Sequence, residues 1–209
     1  MFRALTIARE YGSGGGSIAN RISQMLGWTL LDKALILEVA RAANVDPELA
    51  RRYDECIDSW LHRVGRRALW RGALEGIAAV TEADFFDAET MTALTRDLIL
   101  QAHERGKCVI VGRGGQCVLQ HRADVFHVFV YAPWSDRIQR ARGRLPAGAD
   151  VEEFVRSNDR QRTEYVRLHF GCNWSDPHLY HMLVSSELGE ETAASIIIDA
   201  MERGPKDRA

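Results

Sequence analysis

Five short apolar runs punctuate the chain: Phe2 to Ala8, Trp28 to Leu31, Lys107 to Val111, Phe126 to Tyr131 and Met182 to Val184. Runs that are apolar throughout, rather than alternating, read as strands buried on both faces of a parallel sheet. Between them the apolar residues recur at helical spacing. Ile18, Ile22, Met25 and Leu26 share one face of a helix predicted over Ser17 to Leu26, and Gly27 ends it as a C-cap glycine would. Met91, Leu94, Leu98 and Ala102 give one buried face to a helix over Ala88 to Arg105. Further helices are expected over Ala34 to Ala43, from Pro47 with Asp46 as cap, and over Tyr53 to Ala79. Three more follow: Arg137 to Arg144 capped by Ser135 or Asp136, Val151 to Phe170, and Glu190 to Arg203. Gly171 to His181 reads as irregular, and the tail from Gly204 as frayed.

The order is strand, helix, strand, a helical excursion, two strand–helix units, a charged helical excursion, then strand and helix. That is an α/β chain with a parallel sheet and two insertions. We expect one domain over 1–209, with its core in 1–33, 106–144 and 182–203 and insertions at 34–105 and 145–181.

Composition changes this picture little. Hydrophobic residues make up 46% and charged residues 27%, with a formal net charge of −2. That is ordinary for a globular protein and argues against a general nucleic-acid-polymer or membrane binder. No run is apolar for long enough to span a bilayer, no signal-peptide pattern opens the chain, and the cytoplasm is expected. Cys56, Cys108, Cys117 and Cys172 form no Cys-x-x-Cys pair and are expected as reduced thiols. The histidines show no metal-binding spacing, His178 and His181 included.

Candidate chemistry sits where strands end. After the first strand comes Arg9-Glu10-Tyr11-Gly12-Ser13-Gly14-Gly15-Gly16-Ser17. Glycines let successive backbone N–H groups close around an anion, and a helix N-terminus favours one further. Against the phosphate-loop pattern Gly-x4-Gly-Lys-Ser/Thr, Gly15 and Ser17 fit, while Glu10 and Gly16 stand at the first Gly and the Lys. The same stretch also reads as a plain glycine turn, and Ser17 as a plain helix cap. After the third strand, Gly112-Arg113-Gly114-Gly115 places Arg113 at the carboxyl edge of the sheet, where open α/β sheets bind ligands. Asp32 and Lys33 end the second strand; Asp32 is either a site carboxylate or a cap for the next helix. The charged insertion offers Arg156, Asp159, Arg160, Arg162 and Arg167; on a helix Arg156, Arg160 and Arg167 share a face and Arg162 points elsewhere. Arg63, Arg66, Arg67 and Arg71 form either a solvated face, an anion-facing surface or an oligomer contact. The apolar Trp60 to Leu69 positions are either core or an oligomer contact, as in a homodimer.

Three blocks together resemble the cytidylate-kinase-like proteins, a branch of the nucleoside monophosphate kinases, in the right order from about residue 4 to about residue 200. The first is Arg9 to Gly15 with Asp32-Lys33. The second is Val109-Ile110-Val111-Gly112-Arg113-Gly114, then Val128 to Pro133 and Asp136-Arg137. The third is Asp159 to Tyr165, then Asn173-Trp174-Ser175-Asp176-Pro177. The resemblance implies a P-loop kinase-type three-layer α/β fold, with a five-stranded parallel sheet, a helical monophosphate-binding insertion at 34–105 and a lid at 145–181. It implies ATP as donor, Mg²⁺ as cofactor and a nucleoside monophosphate, CMP- or dCMP-like, as the acceptor partner.

It further implies donor phosphates held by Gly12, Ser13, Gly14, Gly15, Gly16 and Ser17, with Ser17 on Mg²⁺. Arg113 would hold the acceptor phosphate, aided by Asp32 and Lys33, and Asp159 and Arg162 would act from the lid. Trp174 either stacks on a base or packs. The chain departs from the pattern at Gly16, where a lysine would stand. A positive charge at about 4 Å from a phosphate is worth about 4 kcal/mol at an effective dielectric of about 20, roughly a thousandfold in rate. Arg9, Arg21, Lys33 or a lid arginine could replace it. Three readings follow: a nucleotide kinase, a weak or inactive nucleotide-binding protein of the same fold, and a kinase of another small acceptor.

Overall fold

The computed structural model describes residues 2–32 and 82–204, with the side chains of 82–91 and Leu94 undescribed. The expected helices over Ala34 to Ala43, from Pro47 and over Tyr53 to Ala79 lie outside the described residues. So do Lys33, Cys56, the arginines Arg63 to Arg71 and the Trp60 to Leu69 face.

Five parallel strands form one sheet: β1 (Ala4–Arg9), β2 (Thr29–Leu31), β3 (Cys108–Val111), β4 (Val125–Tyr131) and β5 (Met182–Ser185), in the order β2-β3-β1-β4-β5. The register pairs Thr6 with Ile110 on one side and with His127 on the other. The period-2 alternation of strands divides the core between the two faces. Leu5, Ile7, Val109, Val111, Val128 and Val130 face α1 (Gly15–Leu26) and the C-terminal helix, with Ile18, Ile22, Ala193 and Ile197 as their partners. Ala4, Cys108, Ile110 and Val125 face the other way, onto Ile99 of α2 (Glu82–Arg105) and onto Leu119, just past α3 (Gly115–Val118). Both faces are covered, which is why the strands carry no polar alternation.

α4 (Trp134–Arg142), α5 (Val151–Phe170) and α6 (Glu190–Arg203) complete the described elements, with short 3₁₀ turns at Pro177–Leu179 and Ser186–Leu188. Among the described residues no helix is long and apolar enough to cross a membrane.

Strand ends shift by one or two residues, and three helix starts differ from the sequence expectation. α1 starts at Gly15, with Gly14 at its cap in the left-handed region, so Ser17 is the third helical residue and not the cap. α4 starts at Trp134 behind a Pro133 cap, so neither Ser135 nor Asp136 caps it. Asp136 instead lies in the first turn, where a carboxylate favours the helix dipole. α2 begins at Glu82, ahead of the expected Ala88; of its expected face, Leu98 and Ala102 pack against the core, and the Met91 and Leu94 side chains are undescribed. α5 occupies the expected residues, capped by the Asp150 side chain accepting from the Glu153 amide at 3.0 Å.

Candidate phosphate-binding site at the carboxyl edge of the sheet

β1 ends at Arg9, and the loop that follows folds tightly on itself. Ser13 donates both its amide (3.4 Å) and its hydroxyl (2.9 Å) to the Glu10 carbonyl. Gly12 and Gly14 adopt φ +78°, a conformation that side chains rarely enter. Gly12 also has no room for a side chain, because a Cβ there would lie 2.6 Å from the Arg137 carbonyl. The first intrahelical amide to find an acceptor is that of Ile18, bonded to Gly14 O at 3.1 Å. The amides of Gly15, Gly16 and Ser17 are therefore the unsatisfied first-turn donors of α1, and no side chain caps them. Gly16 and Ser17 are exposed. This is the donor arrangement an anion needs.

β3, the neighbour of β1, ends in a turn that holds Arg113 at φ +56°, between Gly112 and Gly114, both at φ +71°. A bulky residue in the left-handed region costs on the order of 1–3 kcal/mol, and such residues concentrate at functional sites. Phe170, the last residue of α5, closes over this turn, and a Cβ at Gly114 would collide with its ring. Burial lowers the pKa of Arg113, and Tyr165 opposes the shift. The Arg113 guanidinium has no hydrogen bond or ion pair among the described residues.

Arg9 runs beneath the start of α1 toward the Gly112 turn. Burial pulls its pKa down to about 9, the nearby Arg162 and Arg113 push the same way, and Asp32 opposes them. Three guanidinium groups thus converge at the edge of the sheet. Arg162 is also lowered, mainly by burial, with Asp159 opposing. It donates through Nη1 to the Arg9 carbonyl (2.9 Å) and to Asp159 Oδ1 (3.3 Å).

Sequence reasoning missed a second group, an ionic fastening beside the loop. Arg137 of α4, 6% exposed, pairs with Glu10 Oε1 (3.2 Å) and with Asp159 Oδ2, and donates Nε to the Tyr11 carbonyl (2.8 Å). Asp159 Oδ1 accepts the Tyr11 amide at 2.7 Å, and Glu10 Oε2 accepts the Ala132 amide at 3.2 Å. Burial raises the pKa of Glu10, with Arg137 opposing. Arg140 adds bonds to Gly12 O (3.2 Å) and Ser186 Oγ (2.9 Å). Both oxygens of Asp159 are therefore engaged in tying α5 to the loop. Its partners lie far away in sequence, and no local pattern pointed to them.

The remaining candidates fall elsewhere. Arg156 pairs with Glu152 (3.4 Å), Arg160 pairs with Glu153, and Arg167 is exposed, so Arg162 alone of these arginines turns to the sheet edge. Arg21 is exposed beside Glu190 at 3.9 Å. Trp174 does not present a face to a base: it is buried edge-on against Phe129, and its carbonyl accepts the Tyr180 hydroxyl at 2.7 Å. Cys108, Cys117 and Cys172 carry free thiols.

Among the described residues no cluster of His, Cys, Asp or Glu is arranged to hold a metal ion by itself. Ser17 Oγ is exposed in the first turn of α1, Asp32 acts on Arg9, and Glu190 Oε1 lies against Gly14, while the Glu10 and Asp159 oxygens are engaged in the ionic fastening. Ser17 Oγ and Asp32 suit an ion such as Mg²⁺ that arrives with phosphates and waters and takes only one or two protein oxygens.

The chain is 22% identical over 197 residues to a cytidylate kinase of Thermoplasma acidophilum, across 93% of this chain and 89% of that one. Its fold is similar to that of a protein from Eubacterium ventriosum (TM-score 0.67, 18% identity, 96% of this chain and 98% of that one). It is also similar to shikimate kinase from Acinetobacter baumannii (TM-score 0.55, 14% identity, 99% and 97%). The five-stranded parallel sheet and the likeness to shikimate kinase fit an α/β fold of the P-loop kinase type. The model of the cytidylate kinase-like family matches residues 4–188, and the chain belongs to that family.

Proposed function

We propose that the protein transfers a phosphoryl group from ATP to a nucleoside monophosphate, with CMP and dCMP the first acceptors to test. One observation carries the reading. Arg113 is held half-buried, at positive φ and without an anionic partner among the described residues, in the turn after the strand next to a loop of unengaged helix N-terminal amides.

Phosphoryl transfer asks for alignment and charge neutralisation rather than covalent chemistry. The amides of Gly15, Gly16 and Ser17, within the Gly12 to Ser17 loop, cradle the donor phosphates. Arg113 grips the acceptor phosphate, bidentate through its planar fork. Ser17 Oγ and Asp32 hold Mg²⁺, which when bound offsets charge on the donor phosphates. The 145–181 segment covers the site. Arg162 reaches in from it, with Nη1 anchored on Arg9 O and Asp159, and its charge stabilises the transferring group. Excluding water there limits wasted hydrolysis.

The test is ADP formation from ATP and Mg²⁺ with CMP, dCMP, UMP, AMP and GMP, with Arg113→Ala alongside. The expected result is one favoured monophosphate whose turnover collapses in Arg113→Ala. ATP binding without ADP formation from any monophosphate would overturn the reading and leave a nucleotide-binding protein or a kinase of another acceptor.

A further inference from the structure

We infer that Arg9 supplies the positive charge that the phosphate loop lacks at Gly16, and that Gly15 is glycine because the Arg9 stem lies in the space its side chain would fill. This deepens the kinase reading and rests on it.

The steric observations are specific. A Cβ at Gly15 would lie 2.7 Å from Arg9 Cβ and 3.1 Å from Arg9 Cγ. A Cβ at Gly112 would collide with Arg9 Nη1. The stem of Arg9 therefore passes under the first turn of α1, and its head lies against the turn that carries Arg113. That path runs from the donor loop to the acceptor arginine, where the transferring phosphoryl group must pass. Gly16 is different: a Cβ there meets nothing within 4 Å. A lysine would fit at that position, and the glycine answers no packing demand.

The competing replacements are less well placed. Arg21 is exposed and paired with Glu190. Arg162 commits Nη1 to Asp159 and Arg9 O. The Arg9 guanidinium has no hydrogen bond or ion pair among the described residues, although it is only partly exposed. A half-buried guanidinium beside two others is costly unless an anion arrives. A triphosphate lying along the loop would offset that cost.

The inference predicts an exchange of charge between two positions. Arg9→Gln should lower turnover by roughly two to three orders of magnitude, as expected for loss of a transition-state charge contact. It should weaken ATP binding about tenfold to hundredfold, the range for a charge-assisted hydrogen bond. Adding Gly16→Lys in the Arg9→Gln background should recover at least tenfold in ATP affinity, because the new ammonium enters the same site from the loop side. Recovery from a different position separates lost charge from damaged folding.

Isothermal titration with ATP, and with inorganic tripolyphosphate, reads the effect whether or not the native chain forms ADP. An Arg9→Gln chain that binds both ligands within threefold of native would overturn the inference. So would a double variant that binds no better than Arg9→Gln. A native chain that forms no ADP while these binding differences hold would sink the kinase reading and keep the role of Arg9 as the loop's charge.

Discussion

Arginines approach the loop after β1 from two sides, and the two groups are treated in opposite ways. On the α4 side, Arg137 meets Glu10, Asp159 and a backbone carbonyl, and its charge is answered within the protein. On the β3 side, Arg9 and Arg113 are also largely withdrawn from water, yet no carboxylate pairs with either among the described residues, and Arg9 is pushed down to about 9. The same side chain thus serves as mortar on one side and as an unmet demand on the other. A buried charge that is paired holds structure, and one left unpaired is a functional-site candidate. Arg162 joins the two sides, with its bond to Asp159 in one and its proximity to Arg9 in the other.

The sharpest test of this division is Arg137→Ala. Removing one member of a buried ionic group leaves Glu10 and Asp159 without their counter-charge, and the expected loss is about 3–5 kcal/mol of unfolding free energy. Urea denaturation measures it. A loss below about 1 kcal/mol would show that the α4 side is not structural. Removing the three together, Glu10→Gln with Arg137→Met and Asp159→Asn, should cost less than the single change, because neither carboxylate is left without its counter-charge and only Arg162, which keeps its bond to the Arg9 carbonyl, loses an ionic partner.

On the other side the signs separate. Arg113→Met should leave the urea midpoint unchanged or higher, since it removes a half-buried charge that no ion pair answers among the described residues. Monophosphate turnover should fall about 10²–10³-fold, the range for loss of one transition-state charge contact. A chain destabilised as much as Arg137→Ala would erase the distinction between the sides.

How far the sequence shows this differs between the two groups. The sheet and α5 were legible because apolar runs and helical spacing are local signals, and Val151–Phe170 carries its own cap in Asp150. The start of α1 was not, because glycines count against a helix; Gly15 is helical here because Arg9 needs the space beneath it. The arginines facing the site were legible by position: Arg113 follows a strand into a glycine turn, and Arg9 precedes one. The fastening of Arg137 to Glu10 and Asp159 was not, since those partners lie on different elements and only the fold brings them together. Gly112 looked like part of a turn motif, and its φ of +71° bears that out; that the head of Arg9 lies against it is a contact between neighbouring strands that the sequence does not show.

A neutral group extends the comparison. His127, 3% exposed, has Nδ1 2.6 Å from Thr6 Oγ1 and its ring stacked on His181 at 5.3 Å. Burial first, then His181, lowers its pKa to about 4. The unfolded chain takes up this proton near pH 6.5, and the folded chain only near pH 4. The unfolded state therefore binds more protons through that window, and stability falls as the pH drops from about 6.5 to about 4, by about 3 kcal/mol in all. Urea midpoints of native protein and His127→Gln at pH 7 and pH 4.5 measure it. The native chain should lose more than the variant, and equal losses would refute the assignment to His127.

The smallest effect belongs to charges that face water. Arg160 pairs with Glu153 on the outer face of α5, with side chains 58% and 39% exposed. An exposed pair of this kind is worth about 0.2–1 kcal/mol, because solvent screens both charges and the long side chains lose freedom in pairing. Arg160→Ala should therefore shift the urea midpoint by no more than that and leave monophosphate turnover unchanged. Arg162, two residues further along the same helix, points at the sheet edge, and Arg162→Ala should depress turnover strongly. If Arg160→Ala cost as much turnover as Arg162→Ala, orientation on the helix would not be what selects the functional arginine. The division between charges answered within the protein and charges left for a ligand would then fail at α5, where the two sides meet.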